Sequence, residues 1–95
     1  MKMTYTHYST QFMDRQNRVD LTRVKYPVGS RIELLSMGND DPSPIPNGSR
    51  GIIKSIDGMA TVHVIWDDGR QIGVIPGIDH FRLLSDEECR AERRA

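Results

Sequence analysis

Ninety-five residues leave room for one small hydrophobic core and no second one, since chains of this size bury only about 60 to 65% of the surface they expose when unfolded. Thirteen Lys and Arg offset thirteen Asp and Glu, so total charge gives no reason to expect nucleic acid, a membrane surface or an acidic substrate. A single cysteine, Cys89, excludes an internal disulfide and a cysteine-based zinc site, and makes a reducing, cytoplasmic compartment the expectation.

Residues 1–25 form a polar leader with five basic and two acidic side chains and scattered apolar positions at Phe12, Val19, Leu21 and Val24. Residues 1–20, MKMTYTHYSTQFMDRQNRVD, have no apolar run of the length that a signal peptide or a membrane span requires. A helical turn or two is expected over 11–24, with Asp20 as a candidate cap before LTRVK. Tyr26-Pro27 closes the leader, because a residue before proline is pushed out of helical geometry.

The texture changes at RIELL (31–35), where Ile32 and Leu34 alternate with Arg31 and Glu33 in the period of a half-buried strand. SMGNDDPSPIPNGS (36–49) then crowds prolines, glycines, Asn, Asp and Ser into a long loop. RGIIKSI (50–56) reads as a second strand, Asp57-Gly58 as a hairpin turn, and MATVHVIW (59–66) as the return. Val62, Val64 and Trp66 share one face of that strand; His63 and Ile65 share the other. Asp68-Gly69 reads as a two-residue turn into RQIGVI (70–75), followed by a kink at PGIDHF and a last short strand, RLL (82–84). Ser85 with Glu88 three residues on is a capping-box pattern for a short helix over 85–95, marginal on its own and expected to fray.

Five short strands, one long loop, two tight hairpins and a kink predict an all-β, five-stranded SH3-like barrel over 26–84, with closure protecting the strand edges. The leader and tail are expected to be dispensable for folding. Within this region, YPVGSRIELLSM, DPSPIPNGSRGIIKSID, HVIWDDG and VIPGIDHFR closely resemble an uncharacterised family of small bacterial and phage proteins, domain of unknown function 4314. That resemblance implies an SH3-like fold and a setting on phages or integrated mobile elements, and it brings no established activity. VGSRIELL followed by NGSRGIIKSI is more weakly similar to the glycine-spaced strand pair of KOW and Tudor-like barrels, which implies binding of RNA, transcription machinery or modified peptides.

The residues offer few chemical candidates. Trp66 is either a core residue with its indole N–H near the surface or, if the hairpin twist exposes it, a binding anchor. Asp67 and Asp68 are adjacent, point apart at a strand end, and make neither a metal site nor an acid/base pair; Asp68 shapes the turn, while Asp67 is free to meet Arg70 or a partner. Asp40 and Asp41, facing the proline arm of Pro42, Pro44 and Pro46, give the long loop an acidic, stiffened surface. His7, His63 and His80 lack metal-ligand spacing, and no nucleophile arrangement or phosphate-cradling glycine loop occurs, so neither catalysis nor a cofactor is expected.

The expectation is a non-catalytic binding module of a phage or mobile element that presents the 37–48 loop and the 66–70 tip to a protein partner. Asp40, Asp41, Pro44, Pro46, Trp66, Asp67 and Arg70 are its candidate contact residues. Two alternatives stay open. One is nucleic-acid binding in the KOW manner, disfavoured by the mildly acidic middle of the chain; the other is an oligomeric phage protein that sequesters a small molecule between copies.

Overall fold

A computed structural model describes residues 15–38 and 44–94. The alternation in RIELL becomes β1 (Arg31–Ser36), with Ile32 and Leu34 fully buried and Arg31, Glu33 and Leu35 on the opposite face. β2 (Arg50–Ile56) buries Gly51 and Ile53, then shifts register between Ile53 and Ser55 so that Ile56 also turns into the core. β3 (Val62–Trp66) buries Val62, Val64 and Trp66, the face read from the sequence. β4 (His80–Leu83) begins two residues before the expected RLL.

The strands form one open antiparallel sheet in the order β3-β2-β1-β4. Among the described residues two helices accompany it, α1 over 15–25 and α2 (Asp86–Arg94), giving a small mixed α/β fold. The five-stranded closed barrel is therefore not what forms. Residues 70–76 meet β3 through isolated bridges alone, Ile65 to Gln71 and Val62 to Val74, and build no ladder. The physical reason lies between those bridges: the Ile72 carbonyl accepts a 2.9 Å hydrogen bond from the Trp66 indole Nε1, so it is committed to a side chain where a fifth strand would need it for a neighbour.

The core joins Ile32, Leu34, Ile53, Ile56, Val62, Val64, Trp66 and Val74 with Met37 and Ile45, which reach in from the two described ends of the long loop. Gly51 lies opposite Trp66 in the β2–β3 register. A Cβ there would stand 2.7 Å from the Ile65 carbonyl oxygen and 3.0 Å from the Trp66 Cα, so the close crossing that admits the indole requires glycine. Tyr26 and Phe81 stack against this core with ring centroids 4.8 Å apart.

Both hairpins use three-residue loops, not the two-residue turns expected of Asp-Gly. At the first, the Asp57 amide donates to the Thr61 carbonyl, and the left-handed position falls on Ala60 (φ 63°) instead of Gly58. At the second, Trp66 N donates to the Arg70 carbonyl across Asp67-Asp68-Gly69, and Gly69 alone takes the left-handed conformation (φ 95°). No neighbouring atom lies within 4 Å of a Cβ at Gly69, so strain there is purely of the backbone. Gly69→Val is expected to lower unfolding free energy by about 1 kcal/mol or more in urea titrations; an unchanged midpoint would contradict the left-handed assignment.

α1 turns Val19 and Thr22 inward, one helical turn apart, and both are buried. Asp20, expected as a cap, lies inside the helix and accepts a hydrogen bond from the Gln16 amide. Residues 15–25 thus carry side chains into the packed interior. The part of the expected helix at 11–14 lies outside the described residues.

Candidate functional surfaces

The structure divides the predicted contact residues. Trp66 is 1% exposed and belongs to the core, because its strand face is the buried one and its donor is satisfied inside. It is no surface anchor. Arg70 lies beside the end of the long loop: its guanidinium donates to the Pro44 carbonyl and pairs with Asp68 at 3.1 Å, so the loop end and the 66–70 tip form one edge. Pro44 and Pro46 are exposed on either side of buried Ile45. Asp67 does not meet Arg70. It accepts a two-pronged hydrogen bond from Arg31 (2.7 and 2.8 Å), and that guanidinium holds its carboxyl below the usual carboxylate range. Asp40 and Asp41 lie outside the described residues.

Sequence reasoning missed a larger constellation on the outer face of the sheet. Glu33 stands opposite Arg50 of β2 and Arg82 of β4, and Arg31 lies two residues before it on the same face. α2 crosses these side chains. Glu92 accepts from Arg31 Nη2 at 2.8 Å and Arg50 Nη1 at 3.2 Å; Glu88 accepts from Arg82 at 2.9 and 2.7 Å and lies 3.7 Å from Arg50. Arg82 also pairs with Glu33. The two helix carboxylates are four residues apart and therefore on one side of α2. A signal for this was present in the sequence: Glu88 and Glu92 share a helix face, and Glu88 closes the capping box by accepting from Ser85 N while Ser85 Oγ accepts from Glu88 N.

These bonds set the pH behaviour of α2. The Arg82 guanidinium first, then the Ser85 amide, draws Glu88 down to about 2 from an ordinary 4.5; the Arg31 guanidinium does the same to Glu92. A depressed carboxylate pKa contributes stability that is complete above 4.5 and lost as pH falls through about 2. Asp67, held below the usual carboxylate range by the Arg31 guanidinium, loses its charge on the acid side as well. Acid titration followed by amide resonances is therefore expected to release α2 between pH 4.5 and about 2. Full protection of the α2 amides at the lower limit would contradict the ionic attachment.

Two further features lie on the other hairpin. Asp57 accepts from the Met59 and Thr61 amides and lies 2.7 Å from His63 Nε2, and the His63 contact is the main cause of its lowered pKa. All three contacts fasten the turn, which gives the pair a structural role. Beside it, Arg18 and Thr22 of α1 face Met59, Ala60, Ile75, Pro76 and Ile78 across a mostly apolar groove of ≈ 270 Å³. The 75–79 turn beside it is fastened by Asp79, whose carboxylate accepts from the Ile75 and Gly38 amides. Among the described residues no group of three His, Cys, Asp or Glu is arranged to hold a metal ion, and no helix is long and apolar enough to cross a membrane.

Comparison with known proteins finds no match among curated sequences. Among solved structures the chain is similar to unliganded Pif1 from Bacteroides sp, with 33% identity over 48% of this chain and 14% of that one, at a TM-score of 0.39. It is also similar to the same protein in complex with ADP-AlF4 (33% identity, 48% and 10% covered, TM-score 0.39), and to a chain from a study of two Pif1 helicases unwinding forked DNA (33%, 48% and 10%, 0.40). The chain thus spans 10 to 14% of the length of these structures. A family match, by contrast, runs over residues 15–84, most of the chain, from α1 through β4. The chain belongs to the family described as Domain of unknown function (DUF4314).

Proposed function

We propose that the chain is a non-catalytic binding module that docks a protein segment in the groove between α1, the β2–β3 turn and residues 75–78. The observation that carries this reading is the exposure of large apolar side chains around one concavity: Met59 is 73% exposed, Ile75 41% and Ile78 46%. A small domain gains stability by burying such groups, and a cluster left open beside a cleft marks a contact surface. Charge narrows the partner. α1 carries Arg15, Arg18, Arg23 and Lys25 against Asp20 within the described residues, so the segment that fits offers one or two apolar side chains flanked by carboxylates. The edge formed by Pro44, Asp67 and Arg70 is less suited, because its charged groups are already paired within the domain.

A displayed library of random dodecapeptides tests this reading. Selection on the wild-type chain should enrich acidic-apolar sequences, and Met59→Glu with Ile78→Asp should weaken the enriched peptides by about tenfold or more, since like charge and lost apolar contact act together. Peptides that bind the double variant as well as the wild type would place the contact elsewhere.

A further inference from the structure

α2 presents a physical puzzle. It is nine residues long, too short to hold helical structure alone, and none of its residues is buried. Its attachment to the sheet runs through Glu88 and Glu92, which meet Arg31, Arg50 and Arg82. Those arginines come from three adjacent strands, so their spacing is fixed by the sheet and not by the helix.

We propose that this outer sheet face is a docking surface for an acidic helix, and that α2 is its built-in occupant, exchangeable for a partner helix offering two carboxylates four residues apart. The inference is independent of the groove. The occupant is argued from α2 itself: the geometry seated on the arginines is a helix with carboxylates at i and i+4, each shared between guanidiniums from different strands. Leaving costs no core packing, because α2 takes no side chain inside. With α2 away, three arginines face only Glu33 and Asp67, and an unoccupied cationic face remains beside exposed Ile52 and the half-buried Ile65. Partly exposed ion pairs are screened by salt, so the balance between the built-in helix and an incoming one is adjustable without unfolding the sheet.

The test uses the full chain carrying Glu88→Gln and Glu92→Gln, isotopically labelled, and titrated with an unlabelled synthetic peptide of residues 84–95 in which Cys89 is serine. The expected result is shifts of the strand amides around Arg31, Glu33, Arg50 and Arg82, saturating at about tenfold lower peptide concentration than in the wild type, whose own α2 competes at high effective concentration. The same peptide with both Glu→Gln changes should give no shifts. Absence of shifts in the variant, or an α2 that stays docked without its carboxylates, overturns the proposal. A single-stranded oligonucleotide is the second probe: if it shifts these amides and the peptide does not, the face recognises phosphate, and the acidic-helix reading fails. Should the double variant lose its dispersed strand amides, Ala91→Pro breaks α2 while leaving the sheet arginines intact, and the same outcomes decide.

Discussion

Trp66→Ala is expected to cost about 3–5 kcal/mol, a large share of the stability of a domain this small. Three effects combine. The indole is 1% exposed at the end of β3, so its removal opens a cavity among Ile32, Leu34, Val64 and Val74 that the closely packed sheet cannot fill. The glycine opposite, Gly51, has no side chain with which to relax into the space. The Ile72 carbonyl loses its donor as well, and with it goes one of the contacts that tie residues 70–76 to the sheet, beside the backbone bonds between Val62 and Val74. Trp66→Phe separates these contributions: it keeps most of the volume and orphans the carbonyl, and should cost about 1–3 kcal/mol. Urea unfolding followed by circular dichroism measures both. A loss below about 1 kcal/mol for the alanine variant would mean that the tryptophan is not the centre of the core.

Much of the sheet was legible because one face of each long strand is buried, which forces the period-two pattern seen at Ile32 and Leu34 and again at Val62, Val64 and Trp66. The missing fifth strand was not legible. RQIGVI alternates as a strand should, and what interrupts it is a hydrogen bond from a tryptophan six residues earlier, which depends on the fold being assembled. The hairpins show the same limit: Asp57-Gly58 signals a turn, but the Asp57 carboxylate caps Met59 and Thr61 and moves the left-handed residue to Ala60. The site residues were harder still. Arg31 reads as a polar position of an alternating strand, and Arg50 and Arg82 as the first residues of RGIIKSI and RLL; only strand register and the path of α2 bring them together. The groove draws on three segments distant in sequence, of which α1 read as a polar leader. Asp67 read as free to meet Arg70 or a partner; it lies within the second turn, and its carboxylate is taken by Arg31.

Ile45→Ala is expected to lower unfolding free energy by about 2–5 kcal/mol, an effect far larger than its place in a proline-rich loop suggests. Pro44 and Pro46 are both exposed, yet the isoleucine between them is fully buried and belongs to the main core cluster. The prolines narrow the chain's freedom at that point, so the side chain is presented to the core at reduced entropic cost. Next to it the backbone rejoins the sheet: Gly48 N donates to the Leu34 carbonyl, Leu34 N to the Ser49 carbonyl, and Arg70 reaches the Pro44 carbonyl from the opposite hairpin. Truncating Ile45 therefore loosens the loop end and the 66–70 tip together. Two measurements separate this from a general loss of stability. Urea midpoints should fall as stated, and hydrogen exchange should quicken at Gly48 and Ser49 more than at Ile53 or Val64 under conditions where the variant remains folded. Equal acceleration at all four amides would show that Ile45 contributes volume alone and does not pin the loop to the sheet.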